Sequence, residues 1–291
     1  MDESLSEWLR RRESADAVAR SSAVTRAAVD ALPGGEALRI LDLATGRGSN
    51  IRFLAGRLPG PQQWLAVDRS PALLDSLREV MTAWGEARGC RVRNEASRYG
   101  IRGVDMACDI ETREVDLGRL DRDEIFVGRH LVTASALLDL VSESWLQALA
   151  ARCRDVGAVG LFTITYNGRC ACVPAEPEDD MVRDLMNLHQ KGDKGLGGPA
   201  AGPDASACAE RSFLDVGYRV RREPSDWVLT SEDADVQRTL IEGWAEAATE
   251  MGPDRGSVIS DWRARRLAHV DAGRSRLTVG HDDLAAWPTR G

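Results

Sequence analysis

The sequence predicts an α/β fold, a doubly wound sheet in which parallel strands alternate with helices. Three observations carry this prediction. Leu38 to Leu43 reads as a strand buried on both faces that runs into a glycine turn and then a helix. Trp64 to Asp68 is a second buried strand, ending in an acid and followed by a capped helix. Leu131 to Ala134 and Val159 to Tyr166 are further apolar strand-like runs with a helical stretch between them, the alternation expected of βαβ units.

Taken in order, residues 3–32 read as two helices. Leu5, Trp8 and Leu9 are apolar positions of the first, and Val18, Ala19, Val24 and Leu32 of the second, before Leu32-Pro33-Gly34-Gly35 ends the pair. After the strand at 38–43, Gly46 and Gly48 let the backbone turn sharply and approach a ligand with no Cβ in the way. Ile51, Phe53, Leu54 and Leu58 then fall on one side of a helix whose amides point back at the turn. A dinucleotide fingerprint would put a third glycine where Ile51 stands, and a phosphate-cradling P-loop would need Gly-Lys followed by Ser or Thr. Neither is present, and Asp42 within the strand would repel a pyrophosphate. Asp68 lies 68 − 46 = 22 positions after Gly46, close to the spacing of about 20 at which an acid meets ribose hydroxyls. Ser70 is a candidate N-cap and Pro71 a first helical residue, and Leu73, Leu74, Leu77, Val80, Met81 and Trp84 keep helical spacing behind them.

On Asp42, Gly46 and Gly48 at the first turn and Asp68 at the next strand end, the chain resembles the class I S-adenosylmethionine-dependent methyltransferases over roughly residues 35 to 170. A further small residue, often glycine in that family, is Ala44 here. The resemblance implies a Rossmann-like doubly wound sheet of about seven strands with the last strand antiparallel, carrying N-terminal helices and, in this chain, a C-terminal helical insertion. It implies S-adenosylmethionine as cofactor, held by Asp42, Ala44, Thr45, Gly46, Gly48 and Asn50 around the turn and by Asp68 and Arg69 at the second strand end. Asp116 and Leu117, after strand-like Glu111 to Val115, match the pair that the family places near the adenine, and Thr133 and Ala134 end the strand facing the methyl donor. Arg12 or Arg20 of the N-terminal segment would meet the cofactor's carboxylate.

The remaining elements follow the same logic. A helix carrying Trp145, Leu146, Leu149 and Cys153 leads to the strand 159–166. Between 167 and 207 the pattern dissolves into Pro, Gly and acidic residues around one helical stretch, Met181 to His189. Because it follows a strand's C-terminal end, this segment reads as a substrate lid. Tyr218 to Leu229 is strand-like but broken by Pro224. Two amphipathic helices follow, then a short final strand from Arg276 to Val279. In the resembling family the last two strands form an adjacent antiparallel pair, so the helices between them are a departure that would build part of the substrate pocket or a dimer contact. The expected organisation is one domain over 1–291, with an N-terminal helical segment at 1–34, a cofactor-binding core at 35–166, the lid at 167–207 and the insertion at 230–275.

A formal charge of −8 and a pI near 5.2 disfavour a nucleic-acid partner, which needs a basic face for phosphates. No apolar run suffices to span a membrane and no signal sequence opens the chain, so a cytoplasmic protein is expected. The six cysteines are scattered without paired C-x-x-C units, and Cys170, Cys172, His189 and Cys208 match no usual zinc spacing, so no metal is expected. Thr133-Ala134-Ser135-Ala136 stands where DNA-adenine and protein-glutamine methyltransferases of this fold carry Asn/Asp-Pro-Pro-Tyr, which argues against both substrates. Metal-dependent catechol methyltransferases place an Asp near this strand end. The first acid here, Asp139, lies inside an apolar Leu-Leu-Asp-Leu run.

The implied chemistry is in-line transfer of a methyl group from sulfonium to a nucleophile, with a general base where the nucleophile arrives protonated. Of the four histidines, His189 in the lid is the best placed as base or substrate contact, and Tyr166 at its strand end would orient the substrate. His130, His269 and His281 fall before a strand, in the insertion and in the closing segment. The expected activity is methylation of an oxygen or nitrogen of a small molecule. The alternatives are a non-methylating use of the same cofactor and a non-catalytic partner subunit; the apolar stripes of the insertion helices suit a core or a homodimer contact equally.

Overall fold

A computed structural model describes residues 2–35, 37–95, 98–104, 106–120 and 122–289. Two helices, α1 (Asp2–Ala19) and α2 (Ser22–Ala31), precede strand β1 (Leu38–Leu43), helix α3 (Ser49–Ala55), β2 (Pro61–Asp68) and α4 (Pro71–Ala87). A hairpin of β3 (Arg91–Glu95) and β4 (Arg98–Arg102) leads to β5 (Ala107–Glu114), followed by β6 (Leu131–Ser135), α5 (Glu143–Val156) and β7 (Val159–Val173). Then come α6 (Asp179–Gln190), α7 (Ala205–Asp215), β8 (Tyr218–Pro224), β9 (Trp227–Leu229), α8 (Ala234–Met251), α9 (Gly256–Asp271) and β10 (Arg276–Pro288).

The strands form one sheet in the order β3-β4-β5-β2-β1-β6-β7-β10-β8, with β9 also on β10. The centre β5-β2-β1-β6-β7 is parallel, and β10 runs antiparallel to both β7 and β8. This is the doubly wound Rossmann-like arrangement with an antiparallel closing strand that the sequence implies. The expected seven strands become ten because the β3–β4 hairpin extends one edge and β9 adds a short rung beside β10. Apolar side chains cover both faces of the centre, one layer around Leu41, Leu43, Trp145 and Phe162 and the other around Ile40, Ile51, Leu54 and Leu77. Ser70 caps α4 by accepting from the Leu73 amide, with Pro71 at the first turn, as its sequence signature predicts.

Several boundaries differ from the sequence reading, each for a physical reason. β7 continues past Tyr166 to Val173: Asn167-Gly168-Arg169 interrupts the apolar run and bulges out of the ladder with β10, which resumes at Cys170 opposite Val279. β10 continues past Val279 to Pro288 although His281, Asp282 and Asp283 lie within it. Asp283 is fully buried, and its carboxylate accepts the backbone N–H groups of Ser21 and Ile164, both at 2.8 Å, which satisfies a charge the sequence alone would send to the surface. α7 was not anticipated because its buried face is built of small residues, Ala205, Ser206, Cys208 and Ala209, with Phe213 as the one large side chain. Val18, expected on the buried stripe of the second helix, lies at the end of α1 and is 88% exposed. A third apolar cluster joins α6, α8 and α9 to β9 and the start of β10. Among the described residues no helix is long and apolar enough to cross a membrane.

Candidate active site

The turn between β1 and α3 forms because three alternate backbone sites take left-handed angles. Ala44, Gly46 and Gly48 have φ of 49°, 53° and 75°. The two glycines do different work. A Cβ on Gly46 would come 3.1 Å from Leu9 of α1, on the cavity side, whereas one on Gly48 would press into Leu77 of α4 at the back. Asp68, at the end of β2, fixes the turn from outside: its Oδ2 accepts the Gly46 N–H at 2.9 Å and its Oδ1 the Ser70 N–H at 3.0 Å.

Beneath the turn lies a buried polar network. Asp42 accepts from the Thr45 hydroxyl at 2.5 Å and from the Asn50 amide at 2.6 Å, and Asn50 in turn accepts from Arg20 at 2.8 Å. Arg20 also donates to Ser135 at 2.9 Å and stacks over Phe53 with its guanidinium 4.3 Å from the ring centre. Burial pushes the Asp42 carboxyl up to about 6, against the pull of its Thr45 and Asn50 hydrogen bonds.

Above the turn opens a cavity of about 400 Å³ at the C-terminal ends of the central strands. Asp42, Ala44, Thr45, Gly46, Asn50, Asp68, Arg69 and Leu117 line it, as does Tyr166. Gly48, Asp116, Thr133 and Ala134 do not. Thr133 is tied to Leu161 O and Asn50 inside the sheet, and the strand end that faces the cavity is Ser135 to Leu137, one step further on. Asp116 folds back to accept the Gly118 N–H at 2.8 Å.

His189 also lies outside the lining, with its Nε2 3.2 Å from Glu250. The segment 167–207 holds the end of β7 and α6, and reaches the cavity through Met186, Gln190 and Leu196 instead. Tyr166 turns its hydroxyl away to donate to Asn187 at 2.7 Å, and burial pushes that phenol well above its usual range. Of the two arginines expected at the cofactor carboxylate, Arg20 is taken up by Asn50 and Ser135. Arg12 lines the cavity, and its Nε makes no hydrogen bond among the described residues, lying 3.8 Å from the Asp16 carboxylate.

Residues the sequence reading left aside form the far end. Trp8, Trp227, Trp244, Leu240 and Val279 wall it, and Asp139 and His281 face in. Trp227 donates to Asp16 at 3.1 Å and lies 4.8 Å from the His281 ring, which also meets Tyr166 at 6.2 Å. The His281 Nδ1–H donates to Val279 O at 3.0 Å, and burial pushes its pKa down to about 3, so the ring is neutral with Nε2 as acceptor. The non-glycine residues with positive φ among those described are Ala44, Ala136 and Ile164, and every one lines this cavity. Ile164 is a β-branched residue at φ 54°, held there by the Asp283 carboxylate on its N–H. Such backbone strain, costing about 1–3 kcal/mol each, concentrates at ligand sites. One sequence signal could have found this end: isolated acids and a histidine inside otherwise apolar strand-end runs, Leu138-Asp139-Leu140 and Val279 to Leu284.

No family model and no curated relative matches the sequence. Among solved structures the chain is similar to the cyclopropane synthase MmaA2 from Mycobacterium tuberculosis, at 11% identity over 91% of this chain and 83% of that one, with a TM-score of 0.46. It is similar to the YcgJ protein from Bacillus subtilis at 9% identity, covering 93% and 100%, with a TM-score of 0.47. It is also similar to a geranyl diphosphate methyltransferase in complex with SAM at 12%, covering 92% and 85%, with a TM-score of 0.42. At such distances the fold rests on the strand order of this chain, and the site on its own residues.

Proposed function

We propose that the chain binds S-adenosylmethionine along the glycine turn and transfers its methyl group to an oxygen or nitrogen of a small molecule held at the far end of the same cavity. One observation carries the reading: the Asp68 carboxylate stands at the cavity wall beside the left-handed Gly46, with one backbone amide on each oxygen and further lone pairs left for a vicinal diol. A dinucleotide would bring pyrophosphate to the same place. Two carboxylates, Asp42 and Asp68, face the cavity there, and they favour a ligand whose centre is cationic.

The residues present fit that cofactor. Asp68 would take the ribose, Leu73, Val115 and Leu117 supply an apolar slot beside it, and Arg12 would take the amino-acid carboxylate. The cofactor, when bound, supplies a methyl carbon already activated by positively charged sulfur. What remains for the chain is to hold the acceptor in line and to exclude water, and such positioning contributes about 7–11 kcal/mol. The tryptophan-walled end suits an acceptor whose bulk is apolar.

Calorimetric titration of the intact protein with S-adenosylhomocysteine tests the reading. One-site binding is expected, and absence of binding would overturn it. Appearance of S-adenosylhomocysteine during turnover separates methyl transfer from other uses of the sulfonium.

A further inference from the structure

The far end of the cavity holds a carboxylate with no assigned work. Asp139 sits on the short turn Leu138–Leu140 that follows β6, and its Oδ1 is buried without a hydrogen-bond partner among the described residues. The charged and titratable groups that share this end of the cavity come from three elements. α1 offers Arg12, which also lies 3.8 Å from Asp16. β7 offers Tyr166, whose hydroxyl is already given to Asn187, and β10 offers His281, neutral and with its one N–H spent on Val279 O. Burial pushes Asp139 up to about 6, while Arg12 and the Tyr166 and Asp139 backbone amides pull it down. At neutral pH the carboxylate is therefore ionised but only weakly held so, which is the condition for a proton acceptor. A buried, unpartnered acceptor in a site built for a ligand is satisfied when the ligand brings the donor.

We infer that Asp139 accepts the proton of the methyl acceptor, and that this acceptor is an apolar molecule carrying a hydroxyl group and no charge. The inference rests on the methyl-transfer reading. As the hydroxyl oxygen forms its bond to the methyl carbon, its proton passes to the Asp139 carboxylate; the carbon–sulfur bond breaks and its electron pair stays on sulfur. A hydroxyl is favoured over an amine because a carboxylate beside an amine holds it as ammonium, which has no lone pair to attack with. An anionic acceptor would meet repulsion from the same group. Apolar bulk follows from Trp8, Trp227 and Trp244, which line this end.

The test uses the intact protein saturated with S-adenosylhomocysteine, titrated calorimetrically with 2-naphthol, 2-naphthoate and 2-naphthylmethylamine. The expected order has 2-naphthol binding about tenfold or more tighter than 2-naphthoate, the difference a hydrogen bond to a charged group supports. The ammonium probe pairs with the carboxylate and binds, but with S-adenosylmethionine in place of its product 2-naphthol is methylated and the amine is not. Asp139→Asn is expected to weaken 2-naphthol about tenfold and to leave S-adenosylhomocysteine affinity unchanged. In the native protein 2-naphthol affinity should fall on acidification with a midpoint near 6, the value to which Asp139 is raised, and the variant should lack this midpoint. If Asp139→Asn does not fold, Asp139→Ser is titrated in its place, because Asp42, also raised to about 6, would share the midpoint in the native protein. Tighter binding of 2-naphthoate, methylation of the amine in preference to 2-naphthol, no binding of 2-naphthol, or equal 2-naphthol affinity in native and variant protein overturns the inference. Failure of S-adenosylhomocysteine itself to bind overturns the cofactor reading instead.

Discussion

At the turn end of the cavity, Asp42, Ala44, Thr45, Gly46 and Asn50 come from one short run of chain, and Asp68 and Arg69 from the neighbouring strand end. At the far end, Trp8, Asp139, Ile164, Trp227, Trp244 and His281 come from six separate places between α1 and β10. The first end is made by local conformation, left-handed backbone at fixed positions with a carboxylate in register. The second is made by topology, because β10 inserts between β7 and β8 and so brings His281 beside Tyr166 and Trp227 beside Trp8. A locally built site depends on single residues without substitutes, whereas an assembled one spreads its work over several walls. Substitutions should therefore be sharp at the first end and graded at the second.

The largest effect is expected from Asp68→Ala. It removes the diol partner and leaves the Gly46 and Ser70 amides without their acceptor. With hydrogen bonds to a charged group contributing about 1.5–3 kcal/mol each, S-adenosylhomocysteine affinity measured by calorimetry should fall about 100-fold. An unchanged affinity would mean that the turn end is not where the ribose is held. Gly46→Val comes next, since it puts a β-branched residue at φ 53° and a Cβ 3.1 Å from Leu9. Strain of about 1–3 kcal/mol should lower cofactor affinity about tenfold and lower the melting temperature as well.

At the far end, Trp244→Ala should weaken the neutral 2-naphthol probe about five- to tenfold, as loss of one aromatic wall implies. Cofactor affinity should stay where it was. If Trp244→Ala weakened S-adenosylhomocysteine as strongly as the probe, the two ends would be one site and the comparison would fail.

The buried histidine and the buried carboxylates of the cavity should answer oppositely to pH. His281, lowered from 6.5 to about 3, binds its proton less readily in the folded chain than in the unfolded one. Stability from its neutral ring is present above pH 6.5 and is lost as pH falls towards 3, by at most about 1.4 kcal/mol per pH unit. Asp42, raised from 3.8 to about 6, acts with opposite sign, its contribution being greatest in acid and lost as pH rises through that window. Asp139 follows Asp42 in this respect. Denaturant melts of native protein and His281→Gln between pH 7 and 4.5 should therefore diverge, the native protein losing stability more steeply. Parallel curves would show that His281 is not held neutral by burial.

The same contrast governs what could be read in the sequence. The strand at 38–43, the glycines, Asp68 and the Ser70-Pro71 cap were legible because each is a local pattern with its own physical cause. The antiparallel closing strand was legible only through resemblance, and its true length was hidden by His281, Asp282 and Asp283. Three polar residues in succession read as loop unless the partners that satisfy them are known, and partners of the two carboxylates, Ser21, Ile164 and Asn167, are more than 100 residues away. His189 stands out in the sequence because it ends the one helical stretch of the expected lid. Its helix instead turns Met186 and Gln190 to the cavity and leaves His189 beside Glu250. Asp139 was read only as an acid misplaced for metal binding, since sequence gives no measure of how deeply the Leu138–Leu140 turn is buried.

The smallest effect is expected at the boundary between the ends. Asp116 matches the family position near the adenine, yet its carboxylate is exposed and caps the Gly118 amide within its own loop, while Leu117 alone turns inward. An Asn side chain keeps the oxygen that accepts this hydrogen bond and removes only a solvated charge, so Asp116→Asn should change S-adenosylhomocysteine affinity by less than about twofold, within the few tenths of a kcal/mol usual for exposed positions. Calorimetry of the variant decides between two pictures. A small change confines the polar grip on the cofactor to Asp68 and the turn, with the adenine slot held by apolar contact from Leu73, Val115 and Leu117. A tenfold loss would show that the 116–118 loop opens its internal hydrogen bond to reach the ligand, and the locally built end would then extend to a third strand.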